Sequence, residues 1–322
     1  MLLLVASIAQ ASDTQVVPPP SADATLFASP TRKDRIGRIL VPVTINGQGP
    51  FRFIVDTGAS YSTVSPELAQ TLGLQPSEDS PFLVNGITGS VLAPSVAIDH
   101  LQAGDLHWRA LRLPVIGSPV MAGADGILGA AGLKEERIMV EFTRNRVTIL
   151  RSHPGLPPRG YQRVHTSVME SGLMTVEVRV GGVRAIAVVD TGAERSLGNQ
   201  ALRDALRHWQ NSRKAPMFTD VFGTSTEIAR GERGLAPIIA LGPLQLLDVD
   251  LIYGDFHIFD VWKMRDRPAM ILGMDVLGTP SSLGIDFRNR ELYFEGAYIG
   301  VGDAVELRCG ATEDPQSLRC QG

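Results

Sequence analysis

Two aspartates are the residues of this chain best suited to chemistry, because both stand in the same local pattern. Asp56 and Asp190 each follow a run of three apolar residues, and each is followed by threonine, glycine and alanine. The apolar run predicts a buried strand, and the glycine predicts a sharp turn or a close backbone approach. Each copy of the pattern would therefore hold one carboxylate at the end of a rigid strand.

Two such carboxylates facing each other could hydrolyse an amide with neither a metal nor a covalent intermediate. Like charges a few ångströms apart do not both ionise cheaply, so the pair would share one proton at mildly acidic pH. One carboxylate could take a proton from an attacking water while its protonated partner polarises the carbonyl oxygen. Thr57 and Thr191 would hydrogen-bond to the backbone of the opposite copy, and Gly58 and Gly192 would offer amide donors to the aspartates.

The pattern around each aspartate belongs to a longer repeat. In both halves a strand and a glycine turn precede the aspartate strand, a helical segment follows it, and an Ile-Leu-Gly sequence comes later, at 127–129 and 271–273. A repeat of this length indicates a duplicated domain, because solenoid units are shorter, roughly 20–50 residues. A single Asp-Thr-Gly is more often only a turn; two copies in the same context favour a functional pair.

Composition divides the chain into a signal-like segment, a polar lead, two lobes, a linker and a tail. The lead is rich in proline and polar residues, which predicts disorder, and the linker is rich in proline and glycine. The predicted boundaries are 1–11 for the signal, 12–34 for the lead, 35–152 for the first lobe, 153–160 for the linker, 161–297 for the second lobe and 298–322 for the tail.

The two ends of the chain bear on its location. Residues 1–11 form an apolar run that ends in the small-x-small sequence of a signal cleavage site, although the usual positive charge before it is missing. The run is too short to cross a membrane, so we expect export to the periplasm or beyond without stable membrane insertion. The alternative is an apolar N-terminus on a cytosolic protein. Cys309 and Cys320 could form a disulfide or remain free thiols.

The remaining composition argues against several partners and chemistries. The formal net charge is −4 and no long run of lysine or arginine occurs, which argues against a nucleic-acid partner. The histidines are scattered without metal-ligand spacing, and no Gly-x-Ser-x-Gly sequence is present. Glycine-rich stretches lack the Lys-Ser/Thr pair of a phosphate-binding loop. We therefore expect neither a metal nor an organic cofactor.

The chain resembles the aspartic peptidases, and the retropepsin-like branch more than the long pepsins. The resemblance is carried by the two Asp-Thr-Gly-Ala sequences at 56–59 and 190–193 and by the two Ile-Leu-Gly sequences, and it covers residues 35 to about 297. Retropepsin-like lobes are usually single domains that dimerise, whereas this chain looks like two fused lobes. The resemblance implies an all-β fold of two similar β-barrel lobes related by approximate two-fold symmetry, with an active-site cleft between them.

The resemblance also implies roles for individual residues. Asp56 and Asp190 would be the catalytic pair, Thr57 and Thr191 the interlocking hydroxyls, and Ser60 a hydrogen-bond partner of Asp56. Glu194 stands where the first lobe has Ser60, and it would contact the substrate backbone instead. Hairpin flaps would close over the peptide. Residues 222–225 are the weaker flap candidate, and the stronger one, near 85–90, would contact substrate through Asn85, Gly86, Ile87, Thr88 and Gly89.

These observations predict a monomeric aspartic endopeptidase that hydrolyses extended segments of protein substrates. The rival interpretation is a catalytically silent peptide-binding or regulatory module that keeps the fold, since fold alone does not fix function. Glu194 and the longer spacing between motifs in the second lobe favour that rival. A third arrangement would pair lobes between two chains.

Overall fold

The computed structural model describes residues 25–30, 32–33, 38–117, 121–155, 157, 159–207, 216–295 and 299–300. The first half contains β1 (Thr25–Pro30), β2 (Arg32–Lys33), β3 (Ile39–Ile45), β4 (Gln48–Asp56), β5 (Thr63–Val64), α1 (Pro66–Thr71), β6 (Ser77–Asn85), β7 (Ser90–Ala103), β8 (Leu106–Pro114), β9 (Gly126–Gly129), a 3₁₀ helix (Ala130–Leu133), β10 (Glu136–Glu141) and β11 (Arg146–Arg151).

The second half repeats this order with additional short elements. It contains β12 (Tyr161–His165), β13 (Ser167–Val168), β14 (Met174–Val180), β15 (Val183–Val189), β16 (Leu197–Asn199), α2 (Gln200–Ala205), β17 (Met217–Phe222), β18 (Ile228–Leu235), β19 (Ile239–Leu241), β20 (Leu244–Leu247), β21 (Asp250–Gly254), α3 (His257–Val261), β22 (Ala269–Leu272), α4 (Met274–Leu277), β23 (Ser282–Asp286), β24 (Glu291–Glu295) and β25 (Ile299–Gly300).

The N-terminal lobe is built on a sheet in the order β5-β9-β4-β3-β7-β6, with β2 added to β3 and β8 added to β7. At the centre of this sheet β4 runs parallel to β9, and Asp56 stands beside Gly129. Phe53, Ile54 and Val55 are completely buried, because this end of β4 is covered on both faces. The apolar run therefore forms the buried strand that the sequence predicts, and it ends at the aspartate.

The C-terminal lobe repeats this centre. Its sheet has the order β17-β18-β21-β16-β22-β15-β14-β19-β20-β25, with β13 added to β14. Here β15 runs parallel to β22, with Val189 beside Leu272, just as β4 runs beside β9. The amide of Asp190 then donates to the carbonyl of Leu272 at 3.0 Å. The prediction of an all-β chain with two similar lobes is confirmed.

A third sheet, which the sequence does not predict, joins the lobes. Its order is β1-β11-β10-β23-β24-β12, so each lobe contributes one hairpin and one outer strand. The central contact is the antiparallel pair β10–β23, in which Ile138 faces Ile285 and Val140 faces Leu283. This register is symmetric, because the two hairpins occupy equivalent positions in the repeat. The lobes are therefore held together by main-chain hydrogen bonds.

The predicted disordered lead is wrong for its last part. Residues 25–30 form β1, which pairs antiparallel with β11, and residues 32–33 form β2, which pairs with β3. The outer edge of β11 offers unpaired backbone groups, and a strand that adds there satisfies them. Residues 1–24, which include the predicted signal, lie outside the described residues, as do both cysteines.

The core is continuous between the two lobes. One hydrophobic cluster includes Val55 and Leu128 from the first lobe, Val189 and Leu272 from the second, and residues of the shared sheet such as Ile285. Both aspartate strands are thus fixed against the same packed interior, which limits the movement of their ends. Within the residues that the structure describes, no helix is long and apolar enough to cross a membrane.

Candidate active site

The site lies where β4 and β15 end, at the interface of the two lobes. The threonines after the aspartates bind the opposite strand reciprocally. The Thr57 hydroxyl donates to the Val189 carbonyl at 2.7 Å, and the Thr191 hydroxyl donates to the Val55 carbonyl at 2.6 Å. Each hydroxyl also accepts from the amide of the other threonine at 3.1 Å. The four hydrogen bonds fix the two strand ends relative to each other, as the sequence predicts.

Backbone amides hold each carboxylate in the same way. Oδ1 of Asp56 accepts from the amides of Gly58 at 2.8 Å and Ala59 at 3.0 Å. Oδ1 of Asp190 accepts from the two equivalent amides of its own loop, at 2.8 and 2.9 Å. A carboxylate with two amide donors on one oxygen has a fixed orientation, and its other oxygen remains available.

The glycines after the threonines are required by the close approach of the two loops. A Cβ added to Gly58 would lie 2.3 Å from Cγ of Asp190, and a Cβ added to Gly192 would lie 2.2 Å from Cγ of Asp56. No side chain larger than hydrogen fits at either position. Each carboxyl group thus packs against the loop of the opposite lobe, and the two are close enough for the charge of Asp56 to act on Asp190.

The electrostatics of the pair follow from its burial. Burial raises the pKa of Asp56 above its ordinary value, although amide hydrogen bonds from Gly58 and Ala59 work against this. Burial and then repulsion from Asp56 hold the pKa of Asp190 well above the ordinary value. Because burial and then the charge of Asp56 oppose ionisation of Asp190, the pair retains one proton at a pH where isolated aspartates are both charged.

The expected hydrogen bond from Ser60 to Asp56 is absent from this geometry. Among the described residues, the hydrogen bonds to Asp56 come from the two amides of its loop. The Ser60 carbonyl instead accepts from Ala131 in the loop that follows β9, at 3.2 Å. The amides two and three residues after Asp56 reach its carboxylate because the chain turns sharply there, and this turn carries Ser60 onward to the β9 side.

A different serine has the supporting position in both lobes, and the sequence reasoning missed it. Ser62 accepts from the Gly129 amide at 3.1 Å, and Ser196 accepts from the Gly273 amide at 3.0 Å. Both bonds tie the aspartate loop to the end of the parallel neighbour strand. The sequence does point to this serine, because a serine recurs six residues after each aspartate, whereas Ser60 has no serine counterpart in the second lobe.

The second lobe adds a buried acid to this arrangement. Asp275 accepts from both the amide and the hydroxyl of Ser196, at 2.9 and 2.7 Å. Burial raises the pKa of Asp275, and the hydrogen bonds from Ser196 oppose that effect. The first lobe has Ala131 at the equivalent position. Glu194 is exposed, and its carbonyl accepts from the Asp275 amide at 3.1 Å.

The predicted flap is a hairpin formed by β6 and β7. Its tip spans residues 86–89 and is closed by a hydrogen bond from the Gly86 amide to the Gly89 carbonyl at 2.8 Å. The Ser90 hydroxyl donates to Oδ1 of Asn85 at 2.7 Å. The same hydroxyl oxygen lies 2.8 Å from Nε2 of His257, which begins α3 in the other lobe. The first flap is thus tied to the opposite lobe through one imidazole.

A second hairpin, formed by β17 and β18, meets the first tip to tip. The Thr88 and Ser225 hydroxyls lie 2.9 Å apart and are 7% and 9% exposed, respectively. A Cβ on Gly86 would lie 2.1 Å from Oγ1 of Thr224, and a Cβ on Gly223 would lie 2.6 Å from Oγ1 of Thr88. The tips therefore interlock with reciprocal glycine contacts, which gives the molecule two flaps of similar construction.

The comparisons with known proteins agree with this arrangement. The family model described as aspartyl protease matches residues 41–131 and 176–276, which together make up more than half of the chain. The chain belongs to the aspartyl protease family. The two matches fall on the two lobes, consistent with the predicted fusion of two retropepsin-like units. A comparison with curated proteins gave no match.

No group of three or more histidine, cysteine, aspartate or glutamate residues within the described ranges could hold a metal ion. The histidines that the sequence analysis noted include His100 and His107, whose rings stack with centroids 5.1 Å apart on the exposed side of β7 and β8. At the lobe interface, the acidic groups that the described residues bring together are Asp56 and Asp190.

Proposed function

We propose that this chain is an aspartic endopeptidase in which Asp56 and Asp190 form one acid–base unit. The observation that carries the proposal is the pair of carboxyl groups, each of which packs against the glycine of the opposite loop and is oriented by two amides of its own loop. Two unrelated surface aspartates would have neither the mutual contact nor the raised pKa values. Membership of the aspartyl protease family supports the hydrolysis of peptide bonds as the reaction.

The chemistry needs only water and the two carboxyl groups. The oxygen of a bound water attacks the peptide carbonyl carbon as the ionised aspartate takes one of its protons. The protonated aspartate gives its proton to the carbonyl oxygen, which produces a tetrahedral diol. The diol then collapses: one aspartate protonates the departing amine nitrogen, and the other recovers its proton from a diol hydroxyl. Both aspartates return to their starting states, and no covalent enzyme intermediate forms.

An extended polypeptide is the proposed substrate. The two hairpins offer main-chain groups that can pair with a peptide in strand conformation. The proposed contacts are Glu194 and the first flap, with Asn85, Gly86, Ile87, Thr88 and Gly89. Because the tips touch through Thr88 and Ser225, the hairpins must separate to admit a polypeptide and close again around it.

We also propose that the protein acts as a monomer outside the cytoplasm. Both aspartates belong to one chain and the lobes share a sheet, so no second copy is needed to complete the site. Export rests on the signal-like residues 1–11 alone. An N-terminal reporter fusion that stays in the cytoplasm would contradict it, and a concentration-dependent mass would contradict the monomer.

The silent binding module remains the rival, and one experiment separates the two. The purified full-length chain, Asp56→Asn and Asp190→Asn are each incubated with a diverse peptide pool at several pH values between about 4 and 7, and products are identified by mass spectrometry. We expect cleavage by the wild type and none by either variant, with circular dichroism spectra unchanged. An intact pool in all three incubations would favour the binding module, and cleavage by one variant would exclude the two-carboxylate mechanism.

A further inference from the structure

The loops that carry the two aspartates have matching backbones. The carbonyl three residues after each aspartate accepts from the amide that follows the Ile-Leu-Gly sequence, at 2.9 Å in the first lobe and 2.8 Å in the second. The next carbonyl of each loop accepts from the next amide, at 3.2 and 3.1 Å. A Cβ on Gly129 would lie 2.5 Å from the carbonyl carbon of Tyr61, and a Cβ on Gly273 would lie 2.7 Å from that of Arg195. The main chain is therefore equivalent as far as the fifth residue after each aspartate.

These equivalent positions carry different side chains. The fifth residue after the aspartate is Tyr61 in the first lobe and Arg195 in the second. Tyr61 is 59% exposed, although its ring is large and mostly apolar. Arg195 and the preceding Glu194 are also exposed. One loop thus presents an aromatic ring to solvent, and the other presents two charges.

The Tyr61 ring joins the loop of Asp56 to the first flap. It meets the ring of Phe82 edge to face, with the centroids 5.8 Å apart and the planes at 62°. Phe82 belongs to β6, the first strand of the flap hairpin, and stands opposite Ala93 of β7. Because the ring extends from the aspartate loop to the hairpin, Tyr61 borders the space that the flap closes.

We propose that Tyr61 is a specificity-determining residue, which together with Phe82 forms a subsite for an aromatic or large aliphatic side chain of the peptide. The inference rests on the proposed function and adds a substrate preference to it. Tyrosine offers a rigid ring that loses little conformational entropy on binding, and aromatic rings pack favourably edge to face. Because most of the Tyr61 side chain is in solvent, an apolar side chain that covers it removes apolar surface from water.

This preference applies to one side of the scissile bond. The reciprocal contacts of Thr57 and Thr191 place the two loops on opposite sides of the lobe interface. An extended peptide that crosses the aspartate pair therefore has one half beside Tyr61 and the other half beside Glu194 and Arg195. Covering those two charges with an apolar side chain would remove their water without supplying new polar partners, which is unfavourable. The substrate is thus bound with its apolar residue on the Tyr61 side.

The test measures binding and does not need catalysis. The probes are two fluorescent peptides, one composed of alanine, serine and glutamine (the polar peptide) and one that differs from it by a single central phenylalanine (the phenylalanine peptide). Both are titrated by fluorescence anisotropy against the full-length chain with Asp190→Asn, so that no cleavage disturbs the measurement. Because an aromatic pair adds to the effect of buried area, the phenylalanine peptide should bind about two- to tenfold more tightly than the polar peptide.

Substitutions in the same background show whether the difference in affinity comes from Tyr61. Tyr61→Ala should bind the two peptides equally, and Tyr61→Phe should keep the difference because it keeps the ring. Leu83→Ala is the matched control. Leu83 is 62% exposed on the same hairpin, but it follows Phe82 along β6, so its side chain lies on the other face of the sheet. This control should leave the difference unchanged, and urea unfolding verifies that every variant folds.

The outcomes separate this inference from the proposed function. If Tyr61 only supports the flap, Tyr61→Ala will weaken the binding of both peptides by the same factor. That result, or equal affinities for the two peptides before Tyr61 is changed, would overturn the inference. A chain that cleaves no peptide but distinguishes the two peptides through Tyr61 would refute the peptidase and support the subsite. If the wild type does cleave, aromatic and large aliphatic residues should be enriched on one side of its cleavage sites, and enrichment on both sides would contradict the one-sided preference.

Discussion

The reciprocal threonine contact predicts a large loss of stability for Thr191→Val. The side chain is completely buried, and valine has nearly the same shape, so the substitution removes the hydroxyl with little change in packing. It leaves the Val55 carbonyl and the Thr57 amide without their partners, which now lie at 2.6 and 3.1 Å. An orphaned buried polar group costs about 1–3 kcal/mol, so the two together should cost about 2–6 kcal/mol of unfolding free energy.

The assay is urea unfolding followed by circular dichroism, with the midpoint compared at unchanged slope. Thr191→Ser keeps the hydroxyl and should recover most of the loss. Thr63→Val is the matched control, because Thr63 is a buried threonine of the same fold whose hydroxyl has no hydrogen-bond partner among the described residues. A loss below about 1 kcal/mol for Thr191→Val, or an equal loss for the serine variant, would refute the view that this contact joins the lobes.

Three further predictions concern the same region. Gly58→Ala should abolish cleavage and lower the urea midpoint, because its Cβ would fall 2.3 Å from Cγ of Asp190, whereas Gly155→Ala, with no atom within 4 Å of the added Cβ, should change neither. Asp190→Asn should be more stable than the wild type at neutral pH. Because folding raises the pKa of Asp190 above the ordinary 3.8, the stability that this carboxyl group contributes is fully present below pH 3.8 and is lost as the pH rises. Equal urea midpoints at pH near 7 would contradict this. His257→Leu removes the hydrogen bond between His257 and Ser90, so it should raise the KM for a cleaved peptide about two- to tenfold with kcat less affected. His257→Gln keeps a donor and should restore the KM of the wild type. An unchanged KM in His257→Leu would show that the first flap does not depend on this contact.

The strands that carry the aspartates were predictable because their signal is local. An apolar run that ends in Asp-Thr-Gly leaves few arrangements other than a buried strand followed by a turn, and the duplication shows that the two ends are equivalent. The helix after the first aspartate was also predictable. Ser65 accepts from the Leu68 amide at its start, and Gly73 has a φ of +66° just beyond its end.

The features that were not predictable depend on partners far away in the sequence. The hairpins β10–β11 and β23–β24 are each local in sequence, but nothing in their alternating residues says that they pair with each other across the lobes. The contact between Thr88 and Ser225 has the same origin, since each tip is only a polar turn when considered alone. Likewise, the lead was assigned to disorder by composition, although its last residues complete the edge of a sheet.

The error over Ser60 has a different cause. The resemblance to a family placed a supporting serine next to Asp56, but the repeat within the chain indicated Ser62, which recurs as Ser196. Residues that recur at equivalent positions in both lobes make the contacts that the two lobes share. Residues that differ between equivalent positions, such as Ser60 and Glu194, do not take part in those contacts. For a duplicated fold, the internal repeat was the better guide to the residues that hold the site.

The most direct test of the central claim is whether Asp56 and Asp190 act as one catalytic unit. The value of kcat/KM is measured on a single cleaved peptide for the wild type, Asp56→Asn, Asp190→Asn and the double variant. Groups that act together are strongly non-additive, so either single substitution should reduce the rate as far as both together. If the two losses instead multiply in the double variant, or if one single variant keeps substantial activity, the carboxyl groups work independently and the shared-proton mechanism is contradicted.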